Sequence, residues 1–159
     1  MQYFQTQDRF TGESPRDATR DSSATASDAP EGRRGRVLVM DDEAAILELT
    51  SRLLKSRGYE VETVLDGNMA VAHYRAAMAA GCPFDVLILD LTVPEKMGGY
   101  EAFKTIQAFD PRVKAIVSSG YSHEPIVLNF RDYGIAGVAP KPYRVSELLG
   151  AVEGVMRSR

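Results

Sequence analysis

From Arg36 onward, short apolar runs alternate with longer stretches in which apolar residues recur every three or four positions. Val37-Leu38-Val39-Met40 has the texture of a strand buried on both faces. It stops at Asp41-Asp42, after which Ile46, Leu49, Leu53 and Leu54 follow a helical spacing that Gly58 ends. Residues 59–65 alternate as a second strand, and Asp66-Gly67 turns into an alanine-rich helix reaching Ala80, closed by Gly81 and Pro83. Val86-Leu87-Ile88-Leu89 predicts a third buried strand ending at Asp90, and a loop with Pro94, Gly98 and Gly99 leads into a helix over residues 100–109. Residues 114–118 predict a fourth strand, and a helix begins near Pro125, since the first turn needs no backbone donor there. Residues 135–139 read as a short fifth strand and residues 145–156 as a final amphipathic helix.

Strands that alternate with helices in this way imply βα units, hence an α/β fold with a largely parallel sheet covered on both faces. Right-handed crossovers put the carboxyl ends of all the strands on one edge, where such sheets bind ligands. Asp41, Asp42 and Glu43 follow the first strand, Asp90 and Thr92 the third, Ser118 the fourth and Lys141 the fifth. Clustered carboxylates repel one another unless their pKa values rise or a cation joins them. Mg2+ suits such a site, taking one or two carboxylates and keeping water and phosphate oxygens as its other ligands. An aspartate is also a competent nucleophile for an aspartyl phosphate. A metal, an ammonium and a hydroxyl can each neutralise one outer oxygen of a transferred phosphoryl group. Singly, each residue has a plainer role. Asp41-Asp42 can cap a helix, Asp90 can sit in a turn and Lys141-Pro142 in a solvated loop. Their joint placement is what chance seldom supplies.

The pieces VLVMDDE, VLILDLTVP, AIVSSG and the Lys-Pro pair of APKPY, in this order and spacing, resemble the receiver domains of two-component response regulators over about residues 36–157. The resemblance implies a flavodoxin-like doubly wound fold with a five-stranded parallel sheet in the order 2-1-3-4-5. It also implies that Asp90 is the phosphoacceptor and that Asp41, Asp42, Asp90 and the backbone carbonyl of Thr92 hold Mg2+. Ser118 would be the switch hydroxyl and Lys141 the ammonium paired with the phosphoryl group. The implied partner is a histidine kinase or a histidine phosphotransfer domain. The long tether and the wording of DLTVP and SSGYS look like the terminal receivers of hybrid sensor kinases. Three positions depart from the family pattern. Val138 stands where many members carry Tyr or Phe as a rotamer switch, so output is expected to use another surface. The loop PEKMGG is one residue longer than the commoner form, and Thr92 and Gly120 occupy positions that tune phosphoryl loss in the family.

Composition narrows the rest. Apolar residues make up 44% and charged residues 26% of 159, the balance of a soluble globular protein of one domain. Residues 11–35 contain no Val, Ile, Leu, Met, Cys or aromatic residue, so residues 1–35 are expected to be a disordered tether before a domain over 36–159. The net charge of -3 offers no case for nucleic acid, and Arg33, Arg34 and Arg36 read as a solvated run. No run is apolar enough for a membrane span, and the start lacks a secretory signal, so no membrane contact and a cytoplasmic location are expected. The lone cysteine, Cys82, fits a reducing compartment and reads as a small apolar filler. His73 and His123 lack a second ligand at metal spacing. Two rivals use the same residues: a binding module of receiver type without phosphotransfer, and a phosphatase of haloacid dehalogenase type. The phosphatase needs a second aspartate two positions after the first, where this chain has Thr92. The sequence stops just after the fifth helix, so no output domain is expected to follow.

Overall fold

The computed structural model describes residues 34–158. In chain order it has β1 (Arg36–Met40), α1 (Ala44–Lys55), β2 (Glu60–Val64), α2 (Gly67–Ala79) and β3 (Val86–Asp90). There follow α3 (Gly99–Gln107), β4 (Ala115–Ser119), α4 (Pro125–Leu128), β5 (Gly137–Pro140) and α5 (Val145–Arg157). The strands form one parallel sheet in the order β2-β1-β3-β4-β5, the flavodoxin-like order that the resemblance implied. The expectation for the tether falls on residues that, up to 33, lie outside those described.

Side chains alternate across each strand, which divides the core into two layers. Leu38, Met40, Leu87, Leu89, Ala115 and Val117 meet α2 and α3 through Tyr74, Phe103 and Ile106. Val37, Val39, Val86, Ile88, Ile116 and Ala139 meet α1 and α5 through Leu54, Leu148 and Val152. β1, β3 and β4 are buried along their whole length, as their unbroken apolar runs require.

The differences from the sequence reading have local causes. α1 turns Leu47, Thr50 and Leu54 inward, while Leu49 is 59% exposed, because a buried threonine interrupts the apolar stripe. Ile135 closes a turn by donating its N–H to the Phe130 carbonyl at 2.9 Å, which starts β5 two residues later than expected. Lys114 stays at the edge of β4 and donates instead to the Val155 carbonyl at 3.2 Å. The helix at Pro125 is a single turn. Arg36 is no part of a solvated run. Its side chain is buried in β1, pairs with Glu60 and Glu62, and lies 4.6 Å from the centroid of the Phe84 ring. Cys82 is exposed and therefore fills no core space.

Candidate functional site

The carboxyl ends of β1, β3 and β5 carry Asp41, Asp90 and Lys141 to one point, as parallel strands in this order must. Lys141 Nζ lies 2.7 Å from Asp41 Oδ2 and 3.1 Å from Asp90 Oδ2. Asp41 and Asp90 are 1% and 5% exposed, whereas Asp42 is open to solvent. Asp41 Oδ1 accepts the Glu43 N–H at 2.9 Å, which fixes the carboxylate at the start of α1. Asp90 Oδ1 accepts a longer bond, at 3.4 Å, from the Thr92 N–H. Asp42, Glu43, Asp90, Thr92, Tyr121 and Lys141 border an open cleft of about 470 Å³.

The electrostatics set three acids against one base. Burial pushes the Asp90 carboxyl above the usual carboxylate range, although the bond from Lys141 opposes the rise. Burial pulls Lys141 down, but its bonds to Asp41 and Asp90 outweigh that and hold it above the ordinary lysine value. One lysine leaves the cluster net negative.

The residues present fit a hard divalent cation. Asp41, Asp42 and Asp90 each offer an oxygen, and these lie within 4.8 Å of one another, the one such group among the described residues. Asp41 Oδ2 is buried and, despite its ion pair with Lys141, has no partner in hydrogen-bonding geometry among the described residues. A buried carboxylate oxygen that has one ammonium beside it and two further carboxylates nearby is what an oxygen-preferring cation relieves. His73 Nδ1 lies 3.2 Å from Glu62 Oε2, and both histidines lie outside this cluster.

The structure does not bring the Ser118 hydroxyl to the cleft. Ser118 is fully buried, and its Oγ lies 2.6 Å from the Tyr143 hydroxyl. The reading of Ser118 as the switch hydroxyl is corrected accordingly. Alternation along β4 places Ser118 with Ile116 on the α1–α5 side and Ser119 with Val117 on the other. Ser119 Oγ accepts the Tyr121 N–H at 3.0 Å and lies 3.4 Å from Glu124, so it governs the loop after β4 that borders the cleft. The sequence reading ended β4 one residue early and passed over Ser119, Tyr121 and Tyr143. Counting alternation from buried Ile116 would have separated the two serines. Val138 is half-buried, packs on the α2–α3 layer and pairs in register with Val117, so no aromatic ring occupies that position. The PEKMGG loop contains a turn where Glu95 has φ 59°, and Lys96 Nζ reaches Asp66 at 3.1 Å.

Residues 37–153 match the profile of the response regulator receiver domain family. The chemotaxis protein CheY of Treponema pallidum is 32% identical over 133 residues, covering 83% of this chain and 90% of that one. The CheY of Thermotoga maritima is 30% identical, covering 77% and 98%. Among solved structures, the CheX-CheY-BeF3-Mg+2 complex from Borrelia burgdorferi aligns with a TM-score of 0.70 at 26% identity, over 78% of this chain and 90% of that one. Among the described residues, no helix is long and apolar enough to cross a membrane.

Proposed function

The chain belongs to the response regulator receiver domain family, and from that premise we propose that Asp90 is its phosphoacceptor. A partner histidine kinase or histidine phosphotransfer domain would supply the phosphoryl group from a phosphohistidine. The observation that carries this is the buried Asp90 carboxylate at the cleft, 3.1 Å from Lys141 and grouped with Asp41 and Asp42. An Asp90 oxygen attacks phosphorus as the phosphorus–nitrogen bond to the imidazole breaks, and that bond's electron pair leaves with the imidazole. Lys141, which donates to Asp90 Oδ2, would meet one outer oxygen of the transferred group, while the Thr92 N–H donates to the other carboxylate oxygen, Oδ1. Asp41, Asp42, Asp90 and the Thr92 carbonyl would hold Mg2+, which supplies neutralisation of phosphoryl charge. The name of the Borrelia complex carries both Mg+2 and BeF3, a pairing that supports this assignment.

The switch follows from differential contacts. A phosphorylated Asp90 draws Lys141 toward a phosphoryl oxygen and away from Asp41, and the loop that Ser119 holds borders the same cleft. With Val138 at the aromatic position, the outcome is carried by the β4–α4 loop and not by a ring buried against β5.

The test is mass spectrometry of the chain incubated with acetyl phosphate and Mg2+. One phosphoryl group on the wild type, mapped to Asp90 and absent from Asp90→Asn, is the expected result. Labelling that survives Asp90→Asn overturns the assignment. Repeated release of phosphate points to a phosphatase, and no adduct at all to an inert binding module.

A further inference from the structure

The Ser118–Tyr143 hydroxyl pair has no part in the phosphotransfer just described, yet it lies between the two residues that must meet. Ser118 is paired in register with Asp90 on β3 and with Ala139 on β5. Its carbonyl accepts the N–H of Leu91, the residue after Asp90, at 3.0 Å. The carbonyl of the next residue, Ser119, accepts the Lys141 N–H at 2.9 Å. The Ser118 hydroxyl then meets that of Tyr143, two residues beyond Lys141, at 2.6 Å. The segment carrying Lys141 is thus tied to β4 on both sides of the lysine, and Ser118 also anchors the chain leaving Asp90.

We propose that Tyr143, through its hydrogen bond to Ser118, is a positioning residue that sets Lys141 at the distance from Asp90 needed for phosphoryl transfer. The inference rests on Asp90 being the acceptor. The Tyr143 ring packs against the α1–α5 layer and lines an apolar groove with Leu49, Leu53, Val145 and Leu148. Apolar packing of that kind is non-directional and holds the ring without fixing the height of the loop. The hydroxyl pair is directional and is shielded from water, because Ser118 is fully buried. Burial drives the Tyr143 phenol above its ordinary value while Ser118 opposes the rise, so the phenol stays protonated and able to donate. Phe and Ala fill nearly the same space, so the single variants are expected to keep the fold, at the cost of one hydroxyl left without its partner. A directional bond at this place acts on the geometry of the neighbouring lysine.

The experiment compares the full chain with Tyr143→Phe, Ser118→Ala, the double variant and Ser118→Thr, which keeps a hydroxyl. Phosphorylation by acetyl phosphate at saturating Mg2+ is expected to slow about tenfold in each single variant, the scale of one net hydrogen bond. The double variant should be no slower than either single one, because the two groups form one interaction. Ser118→Thr should recover most of the rate, and Mg2+ affinity should stay unchanged throughout. The NMR signal of the Lys141 ammonium should move in Tyr143→Phe. Wild-type rates in both single variants, losses that simply add, or an unmoved Lys141 signal would each overturn the inference. If wild type takes no phosphoryl group at Asp90, the acceptor assignment fails instead, and the Lys141 signal alone then decides on the positioning role.

Discussion

At the scale of single residues, the site is a compromise between burial and charge. Asp90 is 5% exposed, lies beside a second carboxylate that is 1% exposed, and shares one lysine with it. Its carboxyl is pushed up by burial, so the folded protein disfavours the charged form that a nucleophile needs. The sign for stability follows directly. An acid whose folded pKa exceeds its unfolded one costs nothing below the unfolded value, and its full cost is present once pH passes the folded value. Asp90→Asn should therefore raise the stability of the metal-free chain at neutral pH, and the gain should vanish at acid pH. Urea unfolding at the two pH values checks this, and a variant that is less stable than wild type at neutral pH contradicts it. The same scale shows where reading one letter at a time fails. Ser118 and Ser119 are chemically identical neighbours, and only the sheet's alternation sends one to Tyr143 and the other to the loop beside the cleft.

At the scale of elements, most of the architecture was legible because buried strands write themselves as unbroken apolar runs. VLVM and VLIL lie within β1 and β3, and the acids at their ends lie at the cleft for that reason. The inward face of α1 was harder to read, since Thr50 is buried in the middle of it while Leu49 faces solvent. The β3–α3 loop shows a packing constraint that composition hides. A Cβ on Gly99 would lie 2.4 Å from the Asp90 carbonyl oxygen, and one on Gly98 would lie 2.5 Å from that of Leu91. Both opposing atoms are backbone, so neither can swing aside, and the start of α3 must press directly on the strand end that carries Asp90. Gly99→Ala should cost about 1–3 kcal/mol of stability as an overpacking change. It should also slow phosphorylation per folded molecule, because relief of the clash displaces Asp90. Chemical denaturation together with the acetyl phosphate assay separates the two effects. Normal stability and normal rate together would mean that the loop yields more easily than backbone packing suggests.

At the scale of the whole molecule, function comes from topology more than from any one motif. Asp41, Asp90 and Lys141 are far apart in sequence and meet because a parallel sheet in the order β2-β1-β3-β4-β5 ends its strands on one edge. That convergence could be read from the alternation of strands and helices. The serine assignment could not, because it depends on where β4 ends to within one residue. The same topology separates the acid that would serve only the proposed metal site from the one that also serves the fold. Asp41 is buried and accepts the Glu43 N–H at the start of α1, so its loss would disturb the fold as well as the acidic cluster, whereas Asp42 is exposed in that cluster. Asp42→Ala should leave the metal-free melting temperature within experimental error of wild type. A ligand that binds only the folded state stabilises it by about 2.7 kcal/mol at one hundred times its Kd. Wild type should accordingly gain several degrees as Mg2+ is added, and Asp42→Ala should need much more metal for the same gain. Differential scanning calorimetry across a Mg2+ titration measures both quantities. Identical titration curves would remove Asp42 from the proposed ligand set and leave Asp41, Asp90 and the Thr92 carbonyl.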